Sequence, residues 1–294
     1  MKNLTGRVAV FFLAGGLSGM LMLASLLACS QTEAKGTTGK EATTASGAES
    51  SAAFERAAAE TVALMKRVED AAKAAGLPPE LGTSLIASAR ADGTRLEAEL
   101  SLPGDPYLTL LVDKTHPLSA DYEPADLVPL TGPSYTTSRS GFRLRAEAAA
   151  ALETMAKAAN AEGVGLLVSS TYRSYNYQKT VYERIVTELG QEAADRESAR
   201  PGHSQHQLGL AVDFGSIDDS FAATTASRWL AANAARFGWS LSYAYGMETI
   251  TGYRWESWHY RYVGIPAATM IETRFGGVQQ YGFAFLREWR AGIR

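Results

Sequence analysis

The spacing of apolar positions changes several times along this chain, and each change marks a different kind of segment. Val8 to Ala28 run without a charge behind Lys2 and Arg7. Ser30 to Ala52 then carry no aromatic or large aliphatic residue. Such a stretch cannot bury enough apolar surface to offset its ordering entropy, so residues 29–52 read as a flexible tether. Phe54, Ala58, Val62, Met65, Val68 and Ala72 recur at helical spacing until Gly76, Pro78 and Pro79 interrupt them. After the turn signal Asp92-Gly93, the residues Leu96, Ala98, Leu100 and Leu102 alternate, which predicts a hairpin-like stretch. Residues 53–100 form a small accessory segment on this reading, and residues 101–294 the main domain.

From Tyr107 onward the pattern is that of mixed structure. Leu108 to Val112 predict a buried strand, and Gly165 to Ser170 a short central one. Phe142 to Asn160 predict a helix with Leu144, Ala148, Ala151, Leu152, Met155 and Ala159 on one face. Tyr175 to Leu189 predict a second helix stopped by Gly190, and Thr225 to Phe237 a third stopped by Gly238. Short strands with segregated helices indicate an α+β domain rather than a regular βαβ alternation.

Composition narrows the function classes. The 294 residues are enough for a substantial core, and 46% hydrophobic residues exclude wholesale disorder. A net charge of −3 supplies no basic face for nucleic acid. The single cysteine, Cys29, excludes an intrachain disulfide. The uncharged stretch before it is long enough for a signal-peptide core or for a membrane span, so its length does not decide between them. The sequence Leu26-Leu27-Ala28-Cys29 resembles a bacterial lipobox, in which the cysteine is lipidated and the chain is cut before it. Residues 1–28 are therefore expected to be a lipoprotein signal peptide and Cys29 a lipid anchor. An uncleaved N-terminal anchor is the other reading, and both place the rest of the chain outside the cytoplasmic membrane. Without Lys2 and Arg7, 26 basic residues face 31 acidic ones, a net of −5.

Three of the four histidines fall in two unusual local sequences: Gly202-His203-Ser204-Gln205-His206-Gln207-Leu208-Gly209-Leu210-Ala211-Val212-Asp213, and Trp255-Glu256-Ser257-Trp258-His259-Tyr260-Arg261-Tyr262-Val263-Gly264. His206, Asp213 and His259 together supply two imidazoles and one carboxylate. Three such ligands, with a fourth position left to water, are the composition of a catalytic zinc site. Glu256, three residues before His259, is then placed as a base rather than a ligand.

These residues resemble the VanY-like D-alanyl-D-alanine carboxypeptidases, zinc peptidases of the M15 family. Ser204, His206, Gly209, Ala211 and Asp213 match its S-x-H-x-x-G-x-A-x-D pattern. Glu256, Trp258, His259, Arg261, Tyr262, Val263 and Gly264 match its E-x-W-H-x-R-Y-V-G pattern. Tyr172-Arg173-Ser174 with Gln178 match a third element, where Thr171 replaces a common glycine. The stretches from Leu111 to Leu118 and from Thr249 to Tyr253 are also similar to the family, so the resemblance covers roughly residues 107–266. It implies an α+β fold of the lysostaphin, D-Ala-D-Ala peptidase and hedgehog-like type, with a small central antiparallel sheet flanked by helices.

The resemblance further implies that His206, Asp213 and His259 bind Zn²⁺ and that Glu256 is the general base. Arg173 would meet either the oxyanion or the substrate's terminal carboxylate, while Gln178 and Ser204 would hydrogen-bond the substrate. The implied activity is removal of the terminal D-alanine from peptidoglycan stem peptides by an exported, membrane-tethered monomer. An L,D-carboxypeptidase or an endopeptidase would keep the same metal chemistry. A non-catalytic wall-binding lipoprotein is disfavoured, because all three ligand positions and the base are filled. Arg261, between Tyr260 and Tyr262, reads as structural. His203 lacks the ligand spacing, His116 receives no catalytic role, and Trp229, Phe237, Trp239 and Tyr243 read as core.

Overall fold

The strand-forming runs of the sequence meet in one sheet, and the alternation of side chains along it separates packing from chemistry. The computed structural model describes residues 42–102 and 104–292, with side chains from residue 50 onward. The segment expected as signal peptide and the anchor Cys29 lie outside the described residues. The strands are β1 (Leu127–Pro129), β2 (Thr136–Thr137), β3 (Arg143–Arg145), β4 (Leu167–Ser170), β5 (Ala211–Phe214), β6 (Trp239–Leu241) and β7 (His259–Tyr262). The main sheet has the order β2-β4-β5-β7-β6, and β1 pairs with β3 in a separate ribbon. Three of the pairings are antiparallel, but β2 joins β4 in parallel. The sheet is thus mixed rather than purely antiparallel, through a two-residue strand at its edge.

The helices are α1 (Ala42–Ala74), α2 (Pro79–Ala91), α3 (Gly93–Ser101), α4 (Ala146–Ala161), α5 (Tyr175–Leu189), α6 (Gln191–Glu197), α7 (Thr225–Asn233), α8 (Glu248–Thr251), α9 (Ile265–Arg274) and α10 (Gln279–Ala291). Among the described residues, no helix is long and apolar enough to cross a membrane.

Successive strand residues point to opposite faces. Val212, Phe214, Trp239, Tyr260 and Tyr262 enter the main core with Leu152, Met155 and Ala159 of α4 and Trp229 and Leu230 of α7. The alternate positions of the same strands are Asp213, His259, Arg261 and Ser240, paired across the ladder as Asp213 with His259 and Ser240 with Arg261. One face is therefore oil and the other carries the polar chemistry.

Four sequence expectations change. The stretch after Asp92-Gly93 is not a hairpin but the junction of α2 and α3: the Asp92 side chain accepts from Arg95 N at 3.0 Å and caps α3. Leu96 and Leu100 are buried while Ala98 is exposed, the signature of an i, i+4 face. Leu108 to Val112 form no strand. Pro106–Thr109 is a 3₁₀ turn, and one nitrogen of the buried Arg261 guanidinium donates to the carbonyls of Tyr107 (2.9 Å), Leu108 (3.2 Å) and Leu110 (2.9 Å). The backbone is satisfied by a side chain instead of a ladder. The helix expected from Phe142 starts at Ala146, because Arg143–Arg145 pair with β1. The helix α1 begins at Ala42, inside the stretch expected as tether.

The accessory helices and the C-terminal helices share a second core. Val68, Leu85, Ala89, Leu96 and Leu100 pack with Met270, Phe275, Phe285, Leu286 and Trp289. Arg274 of α9 also donates to Glu99 of α3 at 2.8 and 3.0 Å.

Candidate metal centre

Sheet register delivers two of the three predicted ligands. Asp213 of β5 stands directly opposite His259 of β7, and Asp213 Oδ1 lies 2.9 Å from His259 Nδ1. His206 comes from the 3₁₀ turn Gln205–Leu208, which Ser204 caps by accepting from His206 N at 3.3 Å. That turn closes at Gly209, whose φ of 68° lies in the left-handed region. The chain then enters β5 with His206 Nε2 3.1 Å from Asp213 Oδ2. One donor atom from each of His206, Asp213 and His259 lies within 4.8 Å of the others, and all three residues are buried.

The remaining nitrogen of each ring is committed elsewhere, which decides where the lone pairs point. Nδ1–H of His206 donates to the Thr171 carbonyl at 2.7 Å, leaving its Nε2 lone pair toward Asp213. Nε2–H of His259 donates to Gln205 Oε1 at 3.3 Å, leaving its Nδ1 lone pair toward the same carboxylate. Two neutral imidazoles oriented by outer partners, plus one carboxylate, are the donor set of a zinc site. The residues fit the ion.

Burial, followed by the charge of Arg173, pushes the His206 imidazole down to about 4, so the ring is neutral at physiological pH. Burial opposes ionisation of Asp213, but His206 and His259 outweigh it and hold the carboxyl well below the ordinary range. Glu256 behaves oppositely: burial, reinforced by the charge of Asp213, raises its carboxyl well above the ordinary range. Its Oε2 stands 3.7 Å from His259 Nδ1.

These groups line one cavity of about 490 Å³, together with Arg173, Ser204, Tyr243 and Trp258. The Arg173 guanidinium spans the cluster. Its Nε donates to Ser170 Oγ at 3.0 Å and one terminal nitrogen to Gln178 Oε1 at 3.2 Å. The other terminal nitrogen lies 2.8 Å from both His206 Nε2 and Asp213 Oδ2. Gln178 is fully buried with both ends of its amide engaged, since its nitrogen donates to Ala199 O at 2.7 Å. Its oxygen accepts from Arg173 and its nitrogen also reaches Ser198 Oγ at 3.3 Å. His203 and His116 stand apart from the cluster; both are tied to Asp113, His203 Nδ1 to its carbonyl and His116 Nδ1 to its carboxylate, each at 2.7 Å.

Sequence reasoning missed three participants. The Thr171 carbonyl was hidden because a backbone acceptor has no residue signature. Gln205 precedes a ligand in sequence, yet only the turn geometry carries its amide to the far side of the other histidine. Tyr243, read as core, is a wall of the cavity, with its ring 4.8 Å from that of His259.

Residues 141–265 match the family model VanY, D-alanyl-D-alanine carboxypeptidase. The bifunctional D-Ala-D-Ala dipeptidase and D-Ala-D-Ala carboxypeptidase VanXYC of Enterococcus gallinarum is 31% identical over 179 residues, which span 58% of this chain and 91% of that protein. The chain belongs to the VanY family. Within it, the chain is 38% identical to YodJ of Bacillus subtilis over 58% of its own length, but spans only 65% of that relative. The zinc complex of the vancomycin resistance D,D-pentapeptidase VanY superposes with a TM-score of 0.51 at 34% identity, covering 60% of this chain and 98% of that one. The LdcB LD-carboxypeptidase superposes with a TM-score of 0.54 at 36% identity, covering 59% and 83% respectively. The matched family segment contains His206, Asp213, His259, Glu256 and Arg173, and leaves out α1 to α3, nearly all of α9 and the whole of α10.

Proposed function

We propose that this protein is a zinc D,D-carboxypeptidase that hydrolyses the last peptide bond of peptidoglycan stem peptides and releases D-alanine. The observation that carries the reading is the convergence of His206 Nε2, the Asp213 carboxylate and His259 Nδ1 in one cavity, with Glu256 beside them. Zinc, when held there, supplies Lewis acidity toward a carbonyl oxygen and lowers the pKa of water to about 7. Glu256 takes a proton from the attacking water and passes it to the nitrogen of the departing amino acid. Its raised affinity for protons suits both halves of that transfer. Arg173 has a fixed positive charge, held by Ser170 and Gln178, for the oxyanion or the substrate's C-terminal carboxylate. Ser204 Oγ lines the same cavity and is the neutral hydrogen-bonding group for the peptide.

The likeness to the LdcB LD-carboxypeptidase favours a second reading, the same hydrolysis on a tetrapeptide that ends in an L,D bond. Incubation with defined pentapeptide and tetrapeptide muropeptides, followed by product mass analysis, separates the two; release of D-alanine from the pentapeptide alone is the expected outcome. Glu256→Ala should keep about one zinc per chain and lose turnover by a factor on the order of 10² to 10⁴. Turnover at the parent rate would overturn the assigned base.

We further propose that the chain is an exported lipoprotein anchored through Cys29. The support is the uncharged stretch Val8 to Ala28 ending in Leu26-Leu27-Ala28-Cys29 and the solvating composition of the residues that follow. Mass analysis of detergent-extracted protein should find a lipid-modified N-terminal Cys29.

A further inference from the structure

The two imidazoles of the metal centre are oriented by unlike means. A backbone carbonyl fixes His206, and nothing further is needed. The partner of His259 is the side-chain amide of Gln205, which can present either its oxygen or its nitrogen to the ring. What holds that amide in one sense lies outside the matched family segment.

We propose that Gln279, at the start of α10, is a positioning residue for His259 and acts through Gln205. The chain of contacts has a direction. Ser240 O is a backbone carbonyl and can only accept, so Gln279 turns its nitrogen toward it at 3.3 Å. The Gln279 oxygen then faces Gln205 and accepts from its nitrogen at 3.1 Å. Gln205 is thereby left with its oxygen toward His259, 3.3 Å from Nε2. Ser242 Oγ lies 2.7 Å from the same Gln205 oxygen and 3.3 Å from that of Gln279, and its single hydroxyl proton can serve either, so the sense is set by the Ser240 carbonyl. All four side chains are buried, so water does not offer a substitute partner. The result is a proton fixed on Nε2 and a lone pair on Nδ1, at the atom that faces Asp213.

The helix that carries Gln279 is itself anchored. Gln280 donates to Asp113 Oδ2 at 2.7 Å, and Phe285, Leu286 and Trp289 sit in the core shared with α1 to α3. The core that holds the accessory helices is thus linked to the metal centre through two amides, those of Gln279 and Gln205.

This inference rests on the zinc reading above, and its test separates the two. Zinc affinity is measured by competition with a chromophoric chelator for the parent, Gln205→Met, Gln279→Met and the double variant, after circular dichroism has shown each metal-free form to be folded. Loss of an outer partner of a ligand weakens metal binding roughly 10- to 100-fold. Gln205→Met should fall in that range, Gln279→Met should lose about threefold or more, and the double variant should lose no more than Gln205→Met alone, since both act along one path. Losses that multiply, or parent affinity in Gln279→Met, overturn the relay. A parent that binds no zinc overturns the metal reading along with it. Should Gln279→Met fail to fold, the zinc-loaded parent decides by nitrogen-15 NMR of its imidazoles. The His259 Nε2–H should be visible and exchange slowly with solvent, and fast exchange would show that no buried acceptor holds it.

Discussion

Gly209 stands between the two parts of the first ligand motif, and the geometry there tolerates no side chain. Its φ is 68°, and an added Cβ would lie 2.8 Å from Leu127 Cδ2 and 3.0 Å from Arg145 Cγ. Both the left-handed backbone and the crowding penalise alanine. Gly209→Ala should therefore destabilise the fold by about 1–3 kcal/mol, read as a shifted urea midpoint. It should also weaken zinc binding, because the turn it closes sets His206 against Asp213. At this scale the cluster was largely legible: His206, Asp213, His259, Glu256 and Arg173, which line one cavity, stand out by residue type and interval. Thr171 and Gln205 were not, since the first acts through its backbone and the second acts across a turn on a residue 54 positions away.

Between elements, the contact of α3 with α9 is an ion pair whose strength depends on pH. Burial opposes ionisation of Glu99, but Arg274 and then Arg95 outweigh it and lower its carboxyl below the ordinary range. A carboxyl lowered in the folded state contributes stability above its unfolded pKa of about 4.3, and that contribution is lost as the pH falls through the folded value. Glu99→Gln should accordingly be less stable than the parent at pH 6, by roughly 1 kcal/mol for partly exposed groups, and the gap should narrow by pH 3.5. Urea midpoints of both proteins at the two pH values test this; a gap that stays constant would remove the ion pair from the account. The same helix shows why elements are harder to read than residues. Leu96 and Leu100 satisfy a two-residue alternation and a four-residue helical step equally well, and only the exposed Ala98 separates them. The segment before Val112 was misread for a different reason. Thr109, Leu111 and Val112 are buried but Leu110 is exposed, and the hydrogen bonds of the segment end on Arg261, far away in sequence.

At the scale of the whole molecule, the two largest hydrophobic clusters among the described residues divide the labour. One packs the sheet on α4 and α7; the other ties α1 to α3 against α9 and α10. Periodicity pointed to a helix in residues 53–72, but no local pattern could show that it would share a core with the end of the chain. Phe285 is fully buried there, 5.5 Å from the Phe275 ring and 6.2 Å from that of Trp289. Phe285→Ala should cost about 3–5 kcal/mol in urea unfolding of the metal-free protein, though it touches no ligand. An unchanged midpoint would show that the second core adds little to global stability.

The facing of Asp213 and His259 across neighbouring strands ties assembly of the sheet to the ion. A slip of one residue between β5 and β7 would turn one partner toward the apolar side and leave the donor set incomplete. Only correctly aligned molecules would then gain the stabilisation that a bound ion gives. An ion held by these three residues would thus reward correct strand alignment, quite apart from any chemistry it supports.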